Sequence, residues 1–157
     1  MKAPDDPVTP LCTGHAAARR GCLQGLAGWA LLAGTGASGM ATAAPTHTAL
    51  QTAMRRAQAL RDEAVRAGDQ PYGAVVLKGE HIVGEAPSRV VTHTDPTAHA
   101  EMEAIRDAAR RLRTRDLSGC WLVSTSHPCR MCEAAARWAG IQRMVHGETL
   151  ADAGAPK

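Results

Sequence analysis

The chain has 157 residues, 45% of them hydrophobic and 21% charged, with a net charge of +3. That length suits one domain able to bury a core, and the charged fraction excludes disorder over most of it. A charge this mild does not call for a nucleic-acid partner, and with 3% aromatic residues and no Phe there is no stacking platform for single-stranded bases.

The N-terminal segment differs in kind from the rest. Arg19-Arg20 precede a run from Gly21 to Ala44 that carries no formal charge and holds the A-x-A-like triplet Ala41-Thr42-Ala43 near its end. Positive residues, a moderately apolar middle and a small-residue end form the plan of a cleaved secretory signal. The paired arginines and the Gly- and Ala-rich core resemble a twin-arginine signal. A spanning helix needs about 20 strongly apolar residues, and this run is diluted by Gly, Ser, Thr and Gln. Residues 1–43 are therefore expected to be a signal peptide, leaving a periplasmic protein with no membrane segment; without a signal it would be cytoplasmic. Cleavage after Ala43 removes three basic and two acidic residues and takes the net charge from +3 to +2. It also removes Cys12 and Cys22. Cys120, Cys129 and Cys132 remain, an odd number that a full set of internal disulfides cannot use.

The next stretch, Thr46 to Gly68, has apolar residues near helical spacing (Leu50, Ala53, Met54, Ala57, Leu60, Ala64, Val65), with Gly68 as the stop. "YGAVVLKGEHIVGEA" reads as two strands joined around Lys78-Gly79-Glu80. Asp95-Pro96 predicts the start of a second helix, Asp as N-cap and Pro at the first helical position, running through "TAHAEMEAIRDAARRLR". "CWLVST", Cys120 to Thr125, is short enough to be a buried strand, a helix from about Cys129 to Ala139 follows, and "IQRMVHG" reads as a last strand. Strand, helix, strand in that order predicts a parallel crossover. The folded domain is expected over residues 46–150, with 151–157 a short tail.

The chemistry lies at two helix starts. Cys129 and Cys132, at i and i+3, share one helix face in a first turn, where the helix dipole favours thiolate. Alone, that pair fits a redox couple, a disulfide or half of a metal site. The segment His99-Ala100-Glu101 decides between them. Residues two apart lie about 200° apart around a helix, yet near an N-terminus both can reach an atom beyond the helix end. If the two helix starts face each other, one imidazole and two thiolates converge and leave a fourth position open, the arrangement of catalytic zinc. Such zinc lowers the pKa of its water to about 7, and Glu101, beside the metal but not on it, can carry the proton. H-x-E, with Glu101 lying 28 positions before Cys129 of P-C-x-x-C, is a specific pattern.

"TDPTAHAEMEAIR", "DLSGC", "PCRMC" and "QPYGAVV" resemble the zinc-dependent cytidine/deoxycytidylate deaminase superfamily, in the branch of guanine, cytosine and tRNA adenosine deaminases. The similarity spans roughly Leu50 to Gly147. It implies an α/β fold, a three-layer α/β/α sandwich with a mixed sheet and helices on both faces. It also implies one Zn²⁺ per chain on His99, Cys129 and Cys132, with Glu101 as proton shuttle. The implied reaction is hydrolytic removal of an exocyclic amine from a nucleobase or nucleoside, a guanine-like purine base first. The alternatives are a tRNA adenosine, which export argues against, and a non-catalytic zinc-stabilised binding domain, which the intact Glu101 argues against. Relatives are commonly homodimers. Ser88 stands where the family usually has an Asn that touches the base or sugar, and a hydroxyl lacks the amide's separate donor and acceptor. Tyr72 and Ala74 fall in the segment that lines the base pocket in relatives. His127, where many relatives have Glu, either faces the substrate or caps the helix.

A bare Cys-x-x-Cys is at risk of oxidation outside the cytoplasm, and zinc protects it only once the chain has folded around the metal. The twin-arginine route carries folded, cofactor-bearing proteins, so zinc is expected to enter before export. Replacing Arg19 and Arg20 by Lys should abolish processed protein in the periplasmic fraction; undiminished periplasmic levels would contradict the signal.

Overall fold

The computed structural model describes residues 43–157, and all but the last residue of the expected signal lies outside them. Helix α1, His47–Arg66, follows the predicted stripe, with Ala49, Ala53, Met54, Ala57, Leu60 and Ala64 buried, except that Val65, one position past the buried Ala64, turns outward and is exposed. Thr46 caps it by accepting the Ala49 amide at 3.2 Å. Thr46 also gives its amide and its hydroxyl to Glu80, each at 2.8 Å, tying the helix start to the tip of the hairpin that follows.

That hairpin is β1, Gly73–Lys78, paired antiparallel with β2, His81–Pro87. Gly79 turns it at φ +56°, a conformation that costs glycine little. Strand β1 is an interior strand of the sheet, buried on both faces, and its residues sort by alternation. Val75 and Leu77 pack with α1, while Ala74 and Val76 face the opposite side of the sheet.

The second helix begins later than expected. Asp95 closes a local turn instead of capping a helix: its Oδ1 accepts the Thr97 amide and hydroxyl, both at 2.7 Å. An Asp side chain satisfied two residues on in this way favours a turn over helix initiation. Helix α2 is Ala100–Leu112, and its N-cap is His99 in extended conformation. His99 is thus at the threshold of the helix and not inside it. Its small residues Ala100, Ala104 and Ala108 are fully buried. A Cβ on Gly84 of β2 would lie 2.5 Å from the Ala108 nitrogen; the helix rests directly on the strand's backbone.

Strand β3, Cys120–Ser124, pairs antiparallel with β1 and parallel with β4, Arg143–His146. Helix α3, Arg130–Trp138, makes the crossover between β3 and β4, as the sequence predicts. The sequence reads 151–157 as a tail, but Ala151–Gly154 forms β5, antiparallel to β4. The sheet order is β2-β1-β3-β4-β5. One core joins α1 to the sheet and the other joins α2 and α3 to its opposite face. The expected three layers and mixed sheet are therefore present. No helix among the described residues is long and apolar enough to cross a membrane.

Candidate functional site

His99 and Cys129 occupy equivalent places, each the N-cap of its helix and each in extended conformation. An N-cap side chain ordinarily accepts a hydrogen bond from the first turn; neither of these does. Their ligand atoms meet instead. His99 Nδ1 lies 3.8 Å from Cys129 Sγ and 3.7 Å from Cys132 Sγ, and the two sulfurs are 3.6 Å apart. A tetrahedral ion with metal–sulfur bonds of about 2.3 Å and a metal–nitrogen bond near 2.0 Å sets the sulfur–sulfur edge at roughly 3.8 Å and the sulfur–nitrogen edges at roughly 3.5 Å. The three side chains hold that spacing to within about 0.3 Å, and they are the one such His/Cys/Asp/Glu cluster among the described residues. Two sulfurs and an imidazole are also the donor chemistry zinc prefers.

Cys132 is fully buried and Cys129 exposed. Burial, with the Glu101 charge nearby, pushes the Cys132 thiol far above its ordinary pKa. A divalent cation reverses that preference by displacing the proton. Cys120 is a free thiol in the core beside Leu122 and Ala136, apart from the cluster. Glu101 is 4% exposed, and burial raises its pKa above the usual carboxylate range.

A cleft of about 340 Å³ opens over this cluster. His99, Glu101 and Cys129 line it, together with Tyr72 and His127. Tyr72 is 41% exposed, so it is not a core side chain. His127 sits edge-on to His146, ring centroids 4.7 Å apart, and its Nδ1 lies 2.8 Å from the Pro128 carbonyl. A larger cleft of about 620 Å³ shares His127 and Cys129 but contains neither His99 nor Glu101. The smaller one therefore holds the chemistry.

The remaining two residues singled out from sequence do not line this cleft. Ala74 is fully buried in β1. Ser88, 2% exposed, donates its hydroxyl to Asp69 Oδ1 at 2.8 Å. Asp69 itself accepts five hydrogen bonds: the Gln70, Val91 and Thr92 amides and the Ser88 and Thr92 hydroxyls. Burial would raise its pKa, but these donors outweigh burial and hold it well below the ordinary value. This carboxylate pins the loop after β2 to the loop before β1. Sequence reasoning missed Asp69, and it missed Gln70 and Ser126, which also line the cleft. Ser126 could have been found as the residue two before the Pro-Cys pair; Asp69 reads from sequence as a surface turn residue.

Comparison with known proteins agrees with this geometry. The family described as the cytidine and deoxycytidylate deaminase zinc-binding region matches residues 47–148. The chain is 39% identical over 104 residues to the guanine deaminase of Bacillus subtilis, covering 66% of this chain and 67% of that one. The solved structure of that enzyme superposes with a TM-score of 0.60 over 65% of this chain and 64% of that chain. Identity is 41% over 96 residues to the tRNA-specific adenosine deaminase of Aquifex aeolicus, 61% of each chain. It is 44% over 107 residues to the tRNA(Ile)-lysidine synthase of Deinococcus deserti, 68% of this chain but 20% of that one. The chain thus spans from a fifth to two thirds of the length of these relatives.

The purified protein should contain one zinc per chain by elemental analysis. Cys120→Ala should keep that stoichiometry and Cys129→Ser should lose it; the reverse pattern would refute the ligand set.

Proposed function

This chain belongs to the cytidine and deoxycytidylate deaminase zinc-binding family, and from that premise we propose that it is a hydrolase that removes the exocyclic amine of a free nucleobase. One observation carries the reading. His99, Cys129 and Cys132 hold a near-tetrahedral spacing, and His99 and Cys129 line the same cleft as Glu101. Three protein ligands with a fourth position facing a cleft describe a catalytic site, whereas a structural site is closed by four. Zinc bound there acidifies a coordinated water at neutral pH.

The chain's own residues divide the remaining work. The net reaction adds water to the ring carbon that bears the amine and expels ammonia, leaving a carbonyl. One proton must move from water to the neighbouring ring nitrogen and another to the departing amine. Glu101 is placed for both: it is near the ligands, buried, and not among them. It lies in the first turn of α2, two positions after the N-cap His99, and lines the same cleft. Tyr72, 41% exposed within the cleft, offers an aromatic face to a planar base.

A guanine-like purine is the first substrate to test, supported by 39% identity to a guanine deaminase. The 41% identity to a tRNA-specific adenosine deaminase supports a second reading, for which a tRNA anticodon arm is the substrate to test. Action in the periplasm belongs to the same proposal, supported by Arg19-Arg20 and the uncharged run behind them.

Ammonia release should be measured over guanine, adenine, cytosine, their nucleosides and a tRNA anticodon arm. Glu101→Gln keeps shape and packing but removes the proton carrier. It should retain its zinc and lose roughly 10²–10⁴-fold in turnover. Zinc lost together with activity would make Glu101 a ligand; full activity with zinc retained would place the proton transfer elsewhere.

A further inference from the structure

Three groups on the cleft are taken by the chemistry: His99 and Cys129 as metal ligands and Glu101 as proton carrier. A base held there must also be oriented, so that the carbon bearing the amine, and no other ring atom, faces the metal. Four side chains remain on the cleft: Gln70, Tyr72, Ser126 and His127. Tyr72 offers an aromatic face. His127 Nδ1 is engaged by the Pro128 carbonyl at 2.8 Å. Ser88 lies outside the cleft with its hydroxyl given to Asp69.

Ser126 brings one short hydroxyl, whereas Gln70 carries a donor and an acceptor together on a longer side chain. The Gln70 backbone amide donates to Asp69 Oδ1 at 2.8 Å, and its carbonyl accepts the Tyr72 amide at 2.8 Å. The main chain of Gln70 is therefore held by Asp69 on one side and by Tyr72 on the other. What Gln70 can still offer the cleft is its carboxamide, which has no hydrogen-bond partner among the described residues. A carboxamide presents a donor and an acceptor side by side. A base edge carrying an N–H next to an oxo group, as guanine and cytosine do, presents the complementary pair, and a two-bond contact of this kind fixes both position and in-plane rotation.

We propose that the Gln70 carboxamide reads the N–H/oxo edge of the bound base and sets which ring carbon faces the metal, with Asp69 as the residue that positions it. Ser88 takes part only through Asp69. The inference rests on the deaminase reading above and adds to it a specificity-determining residue.

The test compares wild type, Gln70→Leu and Gln70→Glu on guanine and on 2-aminopurine, which keeps the 2-amine but lacks the 6-oxo group and the adjacent N–H. Gln70→Leu should retain its zinc and its melting temperature, because the carboxamide has no internal partner to lose. Its kcat/KM for guanine should fall about tenfold or more, mostly through KM, since a site built to hydrogen-bond a substrate group loses binding when that contact goes. On 2-aminopurine, wild type and Gln70→Leu should be within about threefold of each other, because there is no oxo edge to read. Gln70→Glu, which replaces the donor by a second acceptor facing the oxo group, should be at least as impaired on guanine as Gln70→Leu. Equal kcat/KM for guanine in all three proteins would overturn the inference and leave the deaminase reading standing. A parallel loss on both bases would overturn it too, since it would assign Gln70 a role unrelated to the oxo edge. A zinc-loaded wild type inactive on every base would overturn both readings.

Discussion

The meeting of two helix N-termini is the constraint on which the rest depends. Placing His99 and Cys129 at N-cap positions frees both side chains from the helical barrel, and both forgo the cap bond that such positions ordinarily make. Two helix starts brought together also aim their positive ends at one point, which suits a site built from thiolates and a carboxylate. Burial drives both the Cys132 thiol and the Glu101 carboxyl toward their neutral forms, which a bound divalent cation would offset.

Bringing those helices so close requires small residues at the contacts. Helix α2 sits on the backbone of β2 because Gly84 has no side chain and Ala104 and Ala108 have short ones. Helix α3 is set by the parallel crossover from β3 to β4, which fixes where Cys129 emerges from the sheet. The segment that brings Gln70 and Tyr72 to the cleft is fixed differently. There a single carboxylate, Asp69, gathers five donors from two loops. Hydrogen bonds to a charged group are the stronger kind, about 1.5–3 kcal/mol. Helix α2 is thus held by packing of small side chains, and the segment with Gln70 and Tyr72 by a buried ionic hub.

Much of this was legible in the chain. The apolar spacing of Ala53, Met54, Ala57 and Leu60 marks α1, and Gly79 marks the hairpin turn, because both signals are local. The metal trio was legible because its spacing carries chemical meaning wherever the helices lie. The start of α2 was not. Asp95-Pro96 is a genuine helix-start signal, but the Asp carboxylate found Thr97 first and closed a turn. Strand β5 was hidden because Ala151-Asp152-Ala153-Gly154 has no β-branched residue; it is held by pairing with β4 and by the Arg143–Asp152 ion pair across the two strands. Ser88 shows the limit most plainly. Its chemistry depends on Asp69, 19 positions earlier, and nothing in the local sequence says that the two are buried together.

The account's central claim is a metal held by one nitrogen and two sulfurs of the protein, with the fourth position open to the cleft. X-ray absorption at the zinc edge of the purified protein measures that shell directly. The account predicts two sulfur scatterers near about 2.3 Å and two lighter scatterers, nitrogen or oxygen, near about 2.0–2.1 Å. A shell of three or four sulfurs, or one without sulfur, would contradict it.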